Sequence, residues 1–434
     1  MSYEPPTEIR EEELAAISDR VLARPDVPHT VRDELFRIDC AGLAWDVAGR
    51  VYEPDADATL VGADGKKAGA FLLHGGGGDH RGMHNLAVLL VEKFGIKVAT
   101  ASYPGHFNWE TEDNDWPGTP QDAGDGHPRL PLYERGNPIG HDEYDLVTVA
   151  DDPVVRALRG TRFCLAAREG TQFWHRQAAW PLAYETAFTE MITREFPEAE
   201  YSVYLHGAST GGPFVHMLLQ RIGNVVGLIG METSCWGALK KPMVEPGLGG
   251  ELLPFNYLTL RTWRDRARYM GVERGEWGIR HLPQLMEEVF EAWEKDKSKP
   301  GLKVEHFVQY ANLDALRDAA NALADILGSD DDERQALIDR YASYTAPLSG
   351  PDASPVPPLL YIVNERSRDH RPDNYLGVLF PLLDKLEPAP RKSLTLFYGG
   401  THNYSKPSKA LPRGVAAVGA SIWHDAITKG YYTS

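Results

Sequence analysis

The segment from residue 68 to residue 101 constrains the fold of this 434-residue chain more than any other. It opens with a continuous apolar run, Ala68–Leu73, of the kind that a strand buried on both faces requires. A glycine-rich loop follows, then apolar side chains at helical spacing over 82–94, Gly95 as a helix cap, and a second apolar strand at 97–101. Strand, loop, helix and strand in this order predict a βαβ unit, and therefore a parallel sheet with right-handed crossovers.

Strand and helix patterns alternate on both sides of this unit. Two strands, Glu34–Cys40 and Trp45–Glu53, precede it and are joined at Ala41-Gly42. The patterns after it predict strands at 201–205, 225–230, 358–363 and 393–398, and helices near 177–195, 213–222, 374–386 and 412–428. This alternation predicts an α/β fold with a mostly parallel sheet.

Two long segments interrupt the alternation. Residues 105–175 lose the pattern and are rich in aromatic side chains. Residues 236–350 are too long for an ordinary connection and are mostly helical by pattern, with helices predicted at 257–269, 282–295, 312–327 and 333–344. We interpret 105–175 as a first cap insertion and 236–350 as a helical cap insertion. The core then consists of three parts, residues 1–104, 176–235 and 351–434.

Ser209 is the candidate nucleophile. The five residues Gly207 to Gly211 fit the pattern G-x-S-x-G, which a chain of this length matches by chance about one time in ten, so the context has to decide. Here the pattern lies between a predicted strand and a predicted helix, which is the context of a nucleophile elbow. The backbone N–H of Thr210 is the expected donor to an oxyanion.

His402 is the expected general base. A serine hydroxyl is a weak nucleophile without one. Of the fifteen histidines, His402 lies in Gly399-Gly-Thr-His402, directly after the last predicted strand and before the last predicted helix. The chain order serine, acid, histidine also fits this type of site.

Three carboxylates are candidates for the acid that orients the histidine. Asp369 and Glu365 both follow the predicted strand 358–363. We prefer Asp369 because it lies further from the strand, so the loop can bring its carboxylate to the histidine, and because it precedes a proline turn. Glu232 ends the preceding strand and could instead brace the elbow. The sequence leaves this choice open.

The loop His74-Gly-Gly-Gly-Gly78 is the expected source of the second oxyanion donor. Glycines let backbone N–H groups approach a substrate closely, and Gly76 is the preferred donor, with Gly75 or Gly77 as alternatives. His80 and His84 have the spacing of a zinc-binding pair, but no third ligand is in view. We therefore expect no metal.

The order of H-G-G-G-G, G-A-S-T-G, a late acid and G-G-T-H resembles the α/β-hydrolase superfamily. The resemblance covers about residues 34–104, 180–235 and 356–430. It implies an α/β-hydrolase fold with a mostly parallel, eight-stranded sheet flanked by helices, a Ser–His–acid triad and no cofactor. It also implies that the two insertions form a cap above Ser209. The loop after Asn364 and both insertions are longer than is usual for the superfamily, so no subfamily is assigned.

Composition narrows the function classes. The formal net charge of −17 argues against binding to a phosphate backbone as the function, since such binding requires clustered Lys and Arg. Three distant cysteines, no apolar run of eighteen residues and a charged N-terminus predict a cytoplasmic protein without a membrane span.

The expected function is that of a serine hydrolase acting on the carboxylic ester of a small or medium, partly apolar substrate. A large cap with Phe173, Trp174 and Trp180 near it favours an enclosed, apolar pocket, although such aromatics also serve as core. An amidase, a C–C bond hydrolase or a lyase could use the same residues, and a non-catalytic ligand receptor could keep the pocket.

Overall fold

The computed structural model describes residues 3–75, 79–105, 132–148, 163–208, 211–233, 304–365, 372, 375–400, 404, 411 and 413–433. Within these residues the strands are β1 Glu8–Ile9, β2 His29–Cys40, β3 Leu43–Pro54, β4 Lys67–Leu73, β5 Lys97–Ala101, β6 Tyr144–Thr148, β7 Phe163–Ala167, β8 Tyr201–Gly207, β9 Val225–Met231, β10 Leu359–Asn364 and β11 Lys392–Phe397. The α-helices are α1 Glu11–Leu22, α2 His84–Phe94, α3 Gln172–Glu195, α4 Gly212–Leu218, α5 Val304–Leu327, α6 Asp331–Ala342, α7 Phe380–Leu383 and α8 Ala416–Thr428.

Nine of these strands form one sheet in the order β1-β11-β10-β9-β8-β4-β5-β3-β2. Strands β1, β11, β10, β9, β8, β4 and β5 pair in parallel, whereas β3 runs antiparallel to both β5 and β2. Ala41 and Gly42, with φ of 53° and 73°, make the two-residue turn between β2 and β3, as the sequence predicts. The predicted α/β architecture with a mostly parallel sheet is confirmed.

Helices cover both faces of the sheet because successive strand residues point to opposite sides. Ala70 and Leu72 of β4 belong to a core that they share with α1, α2 and α8. Phe71 and Leu73 of the same strand belong to a second core with α3, α4 and α5. Strands buried on both faces have to be apolar throughout, which explains the continuous apolar runs in the sequence.

The structure differs from the sequence expectations at particular elements. Among the described residues the sheet has nine strands rather than the expected eight, because β1 pairs with β11 at the edge. The antiparallel pair of β6 and β7 lies in a segment whose sequence shows no strand pattern. Helix α3 begins five residues earlier than expected, since Thr171 caps it by accepting a hydrogen bond from Trp174 N at 3.2 Å.

The helix predicted near 374–386 is broken. A π-helical turn at Tyr375–Leu379 precedes the four-residue α7, which contains Pro381. Proline has no N–H for the carbonyl four residues earlier, so the ordinary helical ladder is interrupted there.

Only part of each expected cap insertion falls within the described residues. In the second, α5 and α6 confirm the helices expected at 312–327 and 333–344, whereas those expected at 257–269 and 282–295 lie outside the described residues. Tyr341 of α6 donates from its hydroxyl to the carbonyl of Ala178 in α3 at 2.8 Å. The described end of this insertion therefore packs on a helix of the core, and the domain boundaries stay a prediction.

Candidate active site

All predicted site residues follow strands that end at one edge of the sheet. Strands β4, β8, β9, β10 and β11 run parallel, so their carboxyl ends meet there. This is the edge at which parallel α/β sheets bind ligands. The structure describes three of the predicted residues, Gly75, Glu232 and Glu365. The other six, Ser209, Thr210, Gly76, Gly77, Asp369 and His402, lie outside the described residues, and their placement stays a prediction.

The strand and the helix predicted on either side of Ser209 are both present. Strand β8 ends at Gly207, which lies beside Leu73 of β4, and α4 begins at Gly212. A Cβ on Gly207 would lie 2.7 Å from the backbone of Gly211, and a Cβ on Gly211 would lie 2.8 Å from the carbonyl oxygen of His74. Backbone contacts this close exclude any side chain, so the geometry explains why both outer positions of the motif are glycine.

Glu232 directly follows β9 and is completely buried. Its φ of 49° lies in the left-handed region, which a residue with a side chain adopts only under constraint. Met231, one residue earlier, pairs with Ala208 in an isolated parallel bridge. In the sequence, Ser209 directly follows Ala208 and Glu232 directly follows Met231, so each of them comes after one member of this pair.

Asn364 holds the Glu232 carboxylate in place. Oε1 of Glu232 accepts hydrogen bonds from the backbone N of Asn364 at 3.0 Å and from its Nδ2 at 2.9 Å. The Asn364 side chain also lies against Gly400, where a Cβ would overlap Oδ1 at 1.8 Å. Gly400 precedes His402 by two residues. The sequence interpretation did not select Asn364, although a polar residue that ends the apolar strand β10 was a visible signal.

Glu365 has very different surroundings. Its side chain is exposed, and Oε2 accepts a long 3.4 Å hydrogen bond from the backbone N of Gly399. The two glutamates follow neighbouring strands, yet one carboxylate is buried and the other faces solvent. Solvent screens an exposed charge, so Glu365 is the weaker choice for an orienting role.

The structure describes the residues at both ends of the glycine loop, before and after 76–78. His74 is buried, and its ring lies 4.2 Å from that of Tyr103, centroid to centroid. His80 and His84 have separate partners: Nδ1 of His80 lies 2.9 Å from Ser102 Oγ, and Nδ1 of His84 lies 3.0 Å from Tyr52 Oη. Within the described ranges, no group of three or more His, Cys, Asp or Glu side chains is arranged to hold a metal ion.

The aromatic side chains expected near a pocket include core residues. Phe173 and Trp180 of α3 are each only 1% exposed, and Trp180 donates from Nε1 to the carbonyl of Pro104 at 2.8 Å. Tyr184 of the same helix stacks on Phe214 of α4 with 4.4 Å between ring centroids. Tyr184 and Phe214 pack α3 against α4. Phe173 and Trp180 serve as core because they are almost completely buried.

Buried histidines near this edge are expected to make the protein sensitive to acid. Burial lowers the pKa of His74 and His206 to about 4 and that of His216 to about 3. Between the ordinary value of 6.5 and these values, the unfolded chain binds protons that the folded chain excludes. The free energy of unfolding should therefore fall as pH falls from 6.5 to 5, by up to about 1.4 kcal/mol per pH unit for each histidine.

Urea unfolding at pH 8, 6 and 5 measures this slope. His206→Leu removes one of the titrating groups and should make the loss between pH 6 and pH 5 smaller than in the wild type. The same variant compared at pH 8, where no proton is taken up, reports its change in packing alone. An unfolding free energy that does not change between pH 8 and pH 5 contradicts the prediction.

Comparisons with known proteins find similarity among solved structures. No protein-family model matches the chain, and no curated protein matches it. Among solved structures it is similar to a lipase in its open form, at 13% identity and a TM-score of 0.41 over 91% of this chain and 99% of the other. It is also similar to a thermostable carboxyl esterase from Bacillus coagulans, at 13% identity and a TM-score of 0.42 over 92% of this chain and 100% of the other.

A third similar structure is an acylaminoacyl peptidase from Pyrococcus horikoshii, at 12% identity and a TM-score of 0.38 over 92% of this chain. The chain spans only 41% of the length of that peptidase. The strand order of the sheet agrees with the α/β-hydrolase fold predicted from the sequence. This agreement does not depend on the three similar structures. None of the helices in the described part of the chain is long and apolar enough to cross a bilayer.

Proposed function

We propose that this protein is a serine hydrolase that cleaves a carboxylic ester of a small or medium, partly apolar substrate. The observation that carries the proposal is the tight connection between β8 and α4, where contacts with backbone atoms exclude a Cβ at both Gly207 and Gly211. A strand-to-helix turn of this kind presents its central residue at the carboxyl edge of the sheet. In this chain the central residue of the motif is Ser209.

The proposed reaction passes through an acyl-enzyme. His402 takes the hydroxyl proton of Ser209 as the oxygen attacks the ester carbonyl, and N–H groups of Thr210 and Gly76 donate to the developing oxyanion. The tetrahedral intermediate collapses, and protonated His402 delivers its proton to the leaving alcohol. The same imidazole then deprotonates a water molecule as its oxygen attacks the acyl carbonyl. The second tetrahedral intermediate collapses with release of the carboxylic acid, and His402 returns the proton to the Ser209 oxygen.

Glu232 is the carboxylate whose surroundings best suit the orientation of His402. It is buried, it follows the residue that pairs with Ala208, and Asn364 connects it to Gly400. A buried carboxylate interacts more strongly with an imidazolium than an exposed one, because solvent does not screen it. Asp369, which the sequence favours, stays the alternative, and Glu365 is the third candidate.

A buried Glu232 in addition to Asp369 also favours one second function. In a C–C bond hydrolase, Asp369 would orient His402 and Glu232 would act as an extra acid or base on the substrate. Fold does not decide between these reactions, nor does it exclude an amidase or a lyase with the same residues. Activity on esters and on substrates with a cleavable C–C bond has to be compared directly.

Fluorophosphonate labelling followed by peptide mapping tests the proposal. We expect the wild-type protein to be labelled on the peptide that contains Ser209, and Ser209→Ala to lose the label. A p-nitrophenyl ester should give a burst of p-nitrophenol equal to the labelled fraction. The control is Ser202→Ala, which removes another buried serine hydroxyl, on β8. A label that persists in Ser209→Ala, or that never forms, contradicts the mechanism and favours a non-catalytic receptor.

A further inference from the structure

The glycine loop is tied at both ends to the residues that end and follow β5. On its upstream side, the hydroxyl of Tyr103 donates to the carbonyl oxygen of His74. On its downstream side, Ser102 Oγ accepts a hydrogen bond from the backbone N of His80 at 3.0 Å. Thr100 Oγ1 donates to the His80 carbonyl at 2.7 Å, which gives the downstream end a second attachment.

The downstream attachment contains a serine, a histidine and an aspartate, but it is not a second nucleophile site. Ser102 is 1% exposed and His80 is 3% exposed, so no substrate reaches the hydroxyl. Nε2 of His80 lies 3.8 Å from Oδ1 of Asp33, which itself binds Arg50 with a 2.8 Å hydrogen bond. The cluster attaches the loop to β2 and β3, so its role is to hold the loop in place.

Glycines explain why the loop needs such attachments. A glycine-rich segment loses more conformational freedom on ordering than any other, so its geometry has to be imposed by its neighbours. An oxyanion donor has to lie within about 2.7–3.1 Å of the oxygen that it stabilises, and a displacement of about 1 Å can cost about a hundredfold in rate. Anchors immediately before and after residues 75–79 restrict the paths that the loop can take.

We propose that Ser102 and Tyr103 are positioning residues that set the oxyanion geometry of the glycine loop. The proposal rests on the proposed hydrolase function. Both residues belong to the segment that follows the end of β5, so a single stretch of chain holds the loop from both sides. Neither residue touches the substrate, and each acts through the backbone of the loop.

Kinetics of Ser102→Ala and Tyr103→Phe test the proposal with an ester substrate. Each variant should lower kcat about 10- to 100-fold and change KM less than about twofold, because the oxyanion forms only in the transition state. The inhibition constant of a trifluoromethyl ketone, which forms a tetrahedral adduct, should rise by the same factor as kcat falls. An effect on stability alone would not move these two quantities together.

Two variants serve as matched controls. Tyr341→Phe removes a buried tyrosine hydroxyl that also donates to a backbone carbonyl, that of Ala178. Ser202→Ala removes a buried serine hydroxyl that donates to Asp64 at the opposite edge of the sheet. Both should lower the melting temperature to a similar extent as the test variants while leaving kcat within about twofold. Equal losses of kcat in tests and controls, or unchanged kcat in both test variants, overturn the proposal.

Hydrogen exchange separates this proposal from the proposed function. Amides of the peptide 74–84 should exchange faster in Ser102→Ala and Tyr103→Phe than in the wild type, whether or not the protein hydrolyses esters. The two controls should leave that peptide unchanged. If Ser209 is not labelled but exchange rises, the hydrolase assignment fails and the attachment of the loop is confirmed. If exchange does not change in either variant, the positioning role is wrong.

Discussion

Glu232→Gln is expected to lower kcat for ester hydrolysis by about 10⁴-fold, the size of effect seen when a triad carboxylate becomes an amide. Glutamine keeps the shape of the side chain, and its carbonyl oxygen can still accept the hydrogen bonds that Asn364 donates to Oε1. What the change removes is the negative charge that stabilises the imidazolium of His402. Steady-state kinetics with a p-nitrophenyl ester, beside a melting curve to confirm folding, measure the effect.

Asp369→Asn and Glu365→Gln are the matched variants for this prediction. Each changes one carboxylate to an amide, and neither should lower kcat more than about tenfold if Glu232 orients His402. A large loss in Asp369→Asn with ester hydrolysis retained in Glu232→Gln would reverse the assignment. If Glu232→Gln then also loses turnover of a C–C substrate, the second candidate function is the better one.

Gly211→Ala is expected to abolish most activity and to lower the free energy of unfolding by about 1–3 kcal/mol, the usual cost of overpacking. The new Cβ would lie 2.8 Å from the His74 carbonyl oxygen and 2.9 Å from that of Leu73. These are backbone atoms at the end of β4, which cannot move without disturbing the strand and the glycine loop after it. Turnover should fall at least a hundredfold because both sides of the proposed oxyanion site shift.

Gly377→Ala is the control for this prediction, since a Cβ there meets nothing within 4 Å. It should change the free energy of unfolding by less than about 0.5 kcal/mol. Gly207→Ala should behave like Gly211→Ala, because its Cβ would lie 2.7 Å from the Gly211 backbone. Urea unfolding and ester kinetics on all three variants check the comparison. Normal activity in Gly211→Ala would mean that the turn is not built as described.

Much of the architecture could be predicted because it depends on short-range periodicity. The apolar run of β4, the capped helix α2 and strand β5 were each visible, and Gly95 does cap α2 with a left-handed φ of 67°. Elements held by distant contacts were missed. Strand β1 has only two residues and exists because β11 lies beside it.

The candidate site also has one part that follows from short-range pattern and another that depends on distant contacts. The sequence predicts that a glycine-flanked serine lies between a strand and a helix, because the steric demand of that turn acts between residues close in the chain. It favours Asp369 but cannot separate Glu232 from Glu365, since both glutamates follow an apolar strand and look alike locally. Glu232 is buried against Asn364 while Glu365 is exposed, and this difference arises in the folded chain because burial depends on which strands become neighbours in the sheet.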